Sequence, residues 1–170
     1  LDLFREVYGG RASSSGPNVT VGSALENATV LAVVRVLANG VAQVPFRLYQ
    51  TDGKSRILAK EHPLYRLIYR NPNRWQTSFE FRETLMYHLT WTNNAFVFVN
   101  RVGSKREIRE LVPIEPGNVT VRQLDDDRLE YEVRNKQGAK KIFSQDAIWH
   151  LRGPSWNSWM GMDAVALARN

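Results

Sequence analysis

Hydrophobic residues recur at helical spacing in the first half of this chain and alternate with polar residues in much of the second half. The first helical pattern starts at Ser23, which has capping-box spacing with Glu26, and it runs to about Asn39. Gly40 fits the left-handed position that follows many helices. Apolar residues cover nearly the whole circumference apart from Arg35, which predicts a helix that is buried on most sides. Such a helix lies either at the centre of the domain or partly beneath another subunit.

Two shorter elements are predicted before the middle of the chain. Val44–Gln50 alternates after its proline, which predicts a half-buried strand. Thr51–Lys54 has the composition of a hairpin turn, and Arg56–Leu58 is predicted to pair back on that strand. The dipeptide His62-Pro63 begins a short helix, because proline is tolerated in the first turn of a helix.

The stretch from Asn71 to Arg101 carries the clearest structural signals. It opens with the turn Asn71-Pro72-Asn73, which ends the short helix. Thr77 and Glu80 have capping-box spacing and predict a second long helix with an apolar face. The dipeptide Asn93-Asn94 is expected to end that helix, because asparagine tolerates the left-handed conformation. Ala95–Val99 is bulky and β-favouring, which predicts a strand.

The second half reads as short strands separated by turns. Alternation predicts the strands Glu107–Ile114, Val119–Leu124 and Leu129–Val133, and two more short strands are predicted at Lys141–Phe143 and Ala147–Leu151. These strands are expected to form a small antiparallel meander sheet with one polar face. An irregular aromatic loop from Arg152 to Met160 follows, and a further helix is predicted to start at Gly161. The fold class is therefore α+β, with helices first and a small sheet after them.

The domain organisation follows from these elements and from composition. Residues 1–22 contain a glycine- and serine-rich segment and are predicted to be a flexible arm. Residues 23–160 form one α+β domain, and residues 161–170 begin a helix that the end of the sequence cuts. Hydrophobic residues make up 43% of the 170, which is enough for a real core. No apolar run approaches the roughly 18 residues of a membrane span.

The charge of the chain favours acidic partners without identifying one. Lys and Arg number 23 against 17 Asp and Glu, which gives a net charge of +6. The basic residues are scattered along the sequence, and no polybasic run exceeds two residues. We therefore favour generic basicity over a dedicated DNA groove.

The sequence contains no constellation of residues that predicts catalysis. The absence of cysteine excludes a disulfide scaffold, a thiolate metal site and a thiol nucleophile. The three histidines, His62, His88 and His150, lack metal-ligand spacing and are interpreted as structural. Asp125–Asp127 lacks the alternation of a calcium loop and reads as a solvated turn. We predict no catalytic, cofactor-binding or metal-ligating residue and no enzymatic activity.

An aromatic cluster is the remaining candidate for function. Trp149, Trp156 and Trp159 lie close in sequence to Arg152. The favoured interpretation is a hydrophobic anchor, within the chain or at a protein interface, where Trp and Arg are enriched. The alternative is a platform on which single-stranded bases stack, which would make the chain a stand-alone basic nucleic-acid-binding module.

Several motifs, taken in order, resemble the HK97-like family of phage portal proteins from about Ser23 to the last residue. They are Val41–Tyr49, then His62-Pro63-Leu64 leading to Leu67, Pro72 and Asn73, then Asn93–Phe96, Leu111–Val121, and Ile148–Gly153 leading to Gly161–Asp163. The motif residues singled out are His62, Pro63, Pro72, Asn73, Asn93, Asn94, Pro113, Pro116, His150, Arg152 and Gly161. Asn93 replaces the family's usual glycine, and Asp163 stands where serine is common.

The resemblance implies a structural protein of a virion. Family members form a head-to-tail ring of about twelve subunits at one capsid vertex. Double-stranded DNA is packaged and ejected through the ring, and terminase, capsid, scaffold and head–tail connector proteins bind to it. A membrane is not among the implied partners. The implied location is the portal vertex, with the host cytoplasm before assembly. The present residues resemble the peripheral wing, because the stem and clip follow this portion in the family.

Overall fold

The computed structural model of the chain describes residues 28–162. The predicted N-terminal arm, the Ser23–Glu26 capping box and the predicted helix beyond Gly161 lie largely or wholly outside these residues. The helices are α1 (Ala28–Ala42), α2 (Pro63–Tyr69) and α3 (Ser78–Thr92), with a 3₁₀ turn at Pro116–Asn118. The strands are β1 (Tyr49–Thr51), β2 (Arg56–Leu58), β3 (Asn94–Val102), β4 (Glu107–Ile114), β5 (Val119–Gln123), β6 (Leu129–Arg134), β7 (Lys140–Ser144) and β8 (Ile148–Arg152).

Helix α1 differs from its prediction at its end. The helix passes through Gly40, which has no positive φ, and ends at Ala42. The Ala42 carbonyl accepts hydrogen bonds from Arg82 Nε at 3.0 Å and from Arg82 Nη2 at 2.6 Å. A side chain from α3 therefore satisfies the end of α1, which removes the need for glycine in a left-handed cap.

The burial of α1 also differs from its prediction. Only the stripe Val34, Ala38 and Ala42 is buried, and α3 is the helix against which α1 packs. Val33 and Leu37 are half exposed or more, and Val36 is 71% exposed. The prediction that α1 is buried on most sides is therefore wrong for a single copy of the chain.

The predicted strand Val44–Gln50 is mostly wrong, since only Tyr49 and Gln50 of it belong to the three-residue strand β1. Phe46 instead lies 5.4 Å beneath the Arg82 guanidinium, a cation–π contact that holds the segment against α3. The predicted return strand is confirmed, because β2 pairs antiparallel with β1.

The capping box of α3 is confirmed. The Glu80 N–H donates to Thr77 Oγ1 at 3.3 Å, and the Thr77 N–H donates to Glu80 Oε2 at 2.7 Å. The hydrogen bonds from Thr77 keep the pKa of the Glu80 carboxyl below its ordinary value. At the other end, Asn93 alone takes the left-handed conformation, with φ 53°, whereas Asn94 already belongs to β3.

The strands divide between two antiparallel sheets and one hairpin, rather than forming a single meander. The first sheet has the order β4-β3-β8, and the second has the order β5-β6-β7. The central strand β3 is buried on both faces, which explains its continuous apolar run. Ala95, Val97 and Val99 face a core shared with α2, α3 and β4, whereas Phe96 packs with Val119, Tyr131 and Ile148 in a second core. The predicted α+β class is confirmed.

Candidate functional site

The motif residues Asn94 and Gly161, which are 67 positions apart, are joined by paired hydrogen bonds. Asn94 is 3% exposed and lies at the start of β3. Its Oδ1 accepts from the Gly161 N–H at 2.8 Å, and its Nδ2 donates to the Gly161 carbonyl at 3.2 Å. The same Nδ2 donates to the Thr92 carbonyl at 2.6 Å. The side-chain amide thus satisfies both backbone groups of a residue in an irregular segment, as buried polar groups require.

The neighbouring Asn93 holds the residues on either side of the aromatic loop. Its Nδ2 donates to the Met162 carbonyl at 2.8 Å, and its own carbonyl accepts from the Gly153 N–H at 2.8 Å. A Cβ on Gly153 would lie 2.6 Å from Asn93 Oδ1, and a Cβ on Gly161 would overlap the Asn93 carbonyl oxygen. Gly161 is therefore needed for close backbone approach, whereas a Cβ on Gly153 would meet only the Asn93 side chain.

His150 extends this arrangement into the second core. Because Asn94 Oδ1 is an acceptor, His150 Nε2 carries the hydrogen and donates to it at 3.0 Å. His150 Nδ1 then accepts from the Tyr131 hydroxyl at 3.3 Å. Burial lowers the pKa of His150 to about 4, helped by the nearby Arg152 cation, so the ring is neutral. Burial also raises the pKa of Tyr131, which keeps its hydroxyl proton in place. We call Asn93, Asn94, His150, Gly153 and Gly161 the Asn93–Asn94 junction.

A second junction is built on the turn between α2 and α3. Pro72 is fully buried, and its carbonyl accepts from the Leu111 N–H at 2.7 Å. Asn73 Nδ2 donates to the Leu111 carbonyl at 2.9 Å, while Asn73 Oδ1 accepts from the Gln76 N–H at 2.9 Å. The turn between these helices is thus bonded to the edge of strand β4 that does not pair with β3.

Comparison with known proteins identifies the family to which this architecture belongs. The family described as "Phage portal protein" matches residues 28–170. The chain belongs to this family. The portal protein of Enterobacteria phage HK97 is 28% identical over 146 residues, which are 85% of this chain and 34% of the phage protein. Protein BeeE of Escherichia coli strain K12 is 31% identical over 105 residues, which are 62% of this chain and 66% of BeeE.

Solved structures share the fold of this portal-family chain. A chain from the neck of an empty gene transfer agent particle, computed with C6 symmetry, superposes on this chain with a TM-score of 0.70 at 22% sequence identity. The matched region is 97% of this chain and 46% of the neck chain. An HK97 family phage portal protein from Corynebacterium diphtheriae superposes with a TM-score of 0.53 at 16% sequence identity. The matched region is 86% of this chain and 42% of that protein chain. The chain therefore spans about a third of the HK97 protein and less than half of these structures. The HK97-like resemblance is confirmed.

The other motif residues of the portal-family chain have local structural roles. His62 Nδ1 accepts from the Leu64 N–H at 3.2 Å and caps α2, with Pro63 in its first turn. Pro113 lies in the edge strand β4, where a missing N–H is tolerated. Pro116 is buried at the start of the 3₁₀ turn. Arg152 Nη1 donates to the Ser158 carbonyl at 2.5 Å and closes the aromatic loop.

The three candidate interface tryptophans do not form one cluster of rings. Trp149 lies on β8 and is partly exposed, Trp159 is partly buried, and Trp156 is 86% exposed. No ring contact joins them among the described residues. Arg152 Nη1 donates to a carbonyl of the loop, and no cation–π contact joins Arg152 to these rings within residues 28–162. Trp156 therefore remains the candidate interface residue with the largest exposed apolar surface.

Sequence reasoning missed several residues that complete these junctions. Tyr131 contacts the motif residue His150, and Arg82 is buried in α3 with one guanidinium nitrogen, Nη1, lacking a hydrogen-bond partner. Gly153 ends a motif of the sequence but is not among the residues singled out there. The signal for Gly153 was present, because a glycine directly after a strand often marks close backbone approach. Residues 28–162 contain no group of acidic or histidine side chains arranged for a metal. None of the helices in that range is long and apolar enough to span a membrane.

Proposed function

We propose that this chain is the peripheral wing portion of a phage portal subunit, a structural protein without enzymatic activity. The observation that carries the proposal is the match of the phage portal family to residues 28–170. Residues 23–160 constitute the wing, and the segment from Gly161 leads toward the rest of the subunit. In this proposal the intact protein lies at the portal vertex of a phage or prophage virion, after a stage in the host cytoplasm.

The proposed assembly is a ring of about twelve copies with cyclic symmetry, in which each contact is head-to-tail. Related particle necks were solved with C6 and C12 symmetry, which supports a cyclic arrangement. Helix α1 offers a surface for such a contact. Its apolar residues Val33, Leu37 and Val41 recur every four positions and are all exposed in the single copy. An exposed apolar row without charge is typical of a protein interface.

The proposed partners follow from that role. Double-stranded DNA passes through the ring, and terminase, capsid, scaffold and head–tail connector proteins bind the assembled particle. We propose no membrane partner. The two junctions support the role mechanically, because they bond helix α3, the turn between α2 and α3, the first sheet and Gly161–Met162 to one another.

Electron microscopy of the intact purified protein tests the proposal, together with sedimentation velocity over a wide concentration range. We expect closed rings. Substitution of Leu37→Asp on the exposed side of α1 should convert rings to monomers, whereas Leu124→Asp, also at an exposed apolar position but in a turn, should leave them intact. Monomers at every concentration for the unmodified protein would contradict the proposed function.

A further inference from the structure

The net charge of the chain is concentrated in one segment. Residues 47–74 contain seven Lys or Arg and two Asp or Glu, a net charge of +5 out of the +6 of the whole chain. The remaining residues are nearly neutral in sum. In the fold, this segment is the β1–β2 hairpin, helix α2 and the turn that follows. The basic surface of the molecule is therefore a local feature.

A basic cleft lies between the hairpin and α2. It has a volume of about 540 Å³, and it is lined by Arg47, Lys60, Arg66 and Arg70 together with Tyr65 and Tyr69. No carboxylate lines it. All four cations are exposed, and none takes part in an ion pair within residues 28–162. Cations without counter-ions in a concave surface focus a positive potential outward.

The two acidic residues of the segment do not neutralise the cleft. Asp52 lies in the hairpin turn, where its carboxylate accepts hydrogen bonds from the Lys54 and Ser55 N–H groups. Glu61 lines the adjoining cleft, which Lys60 and Arg66 also line, but it forms no ion pair with either cation in the described residues. The four cations therefore have no ion-pair partner within residues 28–162 and are available to an anionic partner.

The geometry favours a phosphate backbone over unstacked bases. Tyr65 and Tyr69 stack on each other with ring centroids 5.2 Å apart and an interplanar angle of 24°, so no base fits between them. Arg66 lies in the last turn of α2, and Arg70 is the C-cap of that helix, so the two are about one helical turn, roughly 6 Å, apart along the axis. Cations at that spacing can each meet a phosphate of a duplex, whose charge density is one per roughly 1.7 Å of axis.

We propose that the cleft formed by Arg47, Lys60, Arg66 and Arg70 binds the phosphate backbone of double-stranded DNA without sequence specificity. This binding site is distinct from a channel through a ring, and it does not require ring formation. It extends the proposed function, because it gives the wing a contact with DNA of its own.

Fluorescence anisotropy measures the affinity of the 170-residue chain for a labelled duplex of about 30 base pairs, which is longer than the cleft, at salt concentrations from about 50 to 200 mM. Four phosphate contacts predict a slope of log K against log salt of about −3.6. The double variant Arg66→Gln/Arg70→Gln should reduce the steepness of that slope by about 1.8 and weaken binding at least about tenfold at low salt. Circular dichroism checks that the variant is folded.

The matched control is Arg128→Gln/Lys140→Gln, which removes the same charge from side chains already paired with Asp126 and Glu132. We expect less than about a threefold change in DNA affinity from this control. Equal losses in both variants would overturn the proposal in favour of general charge attraction. Binding of poly-L-glutamate as tightly as the duplex would overturn it in favour of an acidic protein partner. Rings without DNA binding would leave the proposed function standing and refute this site, whereas DNA binding without rings would do the reverse.

Discussion

Substitution of Gly161→Ala tests whether the Asn93–Asn94 junction stabilises the domain. The added Cβ would overlap the Asn93 carbonyl oxygen and approach Asn94 Oδ1 to 3.0 Å. The Asn93 carbonyl is backbone at the end of a helix, so it cannot rotate away as a side chain would. The segment around Gly161 must then move away from β3.

The magnitude follows from the hydrogen bonds that this movement breaks. Two bonds join Asn94 to Gly161, and a third joins Asn93 to Met162. Each bond contributes about 0.5–1.5 kcal/mol to the free energy of unfolding, and the buried Asn94 amide is left with fewer hydrogen-bond partners. We expect the free energy of unfolding to fall by about 2–4 kcal/mol.

Urea denaturation followed by tryptophan fluorescence measures this change. Two further Gly→Ala substitutions serve as controls. Gly153→Ala meets the Asn93 side chain, which has some freedom to adjust, and should be less destabilising than Gly161→Ala. Gly40→Ala meets nothing within 4 Å inside α1 and should stabilise the protein by about 0.5–1 kcal/mol.

A second measurement distinguishes local detachment of the segment Gly161–Met162 from destabilisation of the whole domain. Hydrogen exchange of the Met162 amide, which donates to the Pro154 carbonyl at 2.8 Å, reports on the segment itself. The junction would have no stabilising role if Gly161→Ala left both the urea midpoint and the exchange of this amide unchanged.

Three more outcomes follow from the structure. Asn93→Val should lose about 1–2 kcal/mol because a β-branched residue resists φ 53°, and Asn93→Gly should lose less; equal thermal midpoints would refute this. Burial lowers the pKa of His88 and His150 to about 4, below the ordinary 6.5, so the unfolded chain binds protons first on acidification. The stabilisation from the two neutral histidines should be complete above pH 6.5 and should be lost as the pH falls toward 4. The free energy of unfolding should fall by at most about 1.4 kcal/mol per pH unit for each histidine, and by less for the more exposed His150. A urea midpoint that stays constant over this range would contradict the expectation. Thr77→Ala should cost about 1 kcal/mol and Thr77→Ser little, by the same denaturation assay.

The correction at Asn93 and Asn94 illustrates the limit of local sequence signals. The dipeptide was correctly predicted to end α3, because a left-handed position was needed there. Which of the two residues takes that position depends on where β3 begins, and β3 begins where it pairs with β8. Asn94 is required for a different reason, namely its bonds to a glycine 67 residues away.

The basic cleft shows a second kind of limit. No run of consecutive basic residues is longer than two, and this scattering along the chain favours generic basicity. A count over residues 47–74 would have revealed the charge excess, since it is visible in composition. The folding of the hairpin onto α2 was still needed to show that four of these cations face one cleft without a carboxylate.

The sequence by itself determined the elements whose causes are local. The α3 capping box, the hairpin turn, the bounds of β4 and the two-sided apolar strand β3 follow from residues a few positions apart. Tertiary structure decided what depends on distant partners: the end of α1 at the Arg82 side chain, the division of strands into two sheets, and the meeting of Asn93, Asn94, His150, Gly153 and Gly161. The physical reason is that hydrogen bonds and packing between distant residues leave no periodic signal along the chain, whereas caps, turns and alternation do.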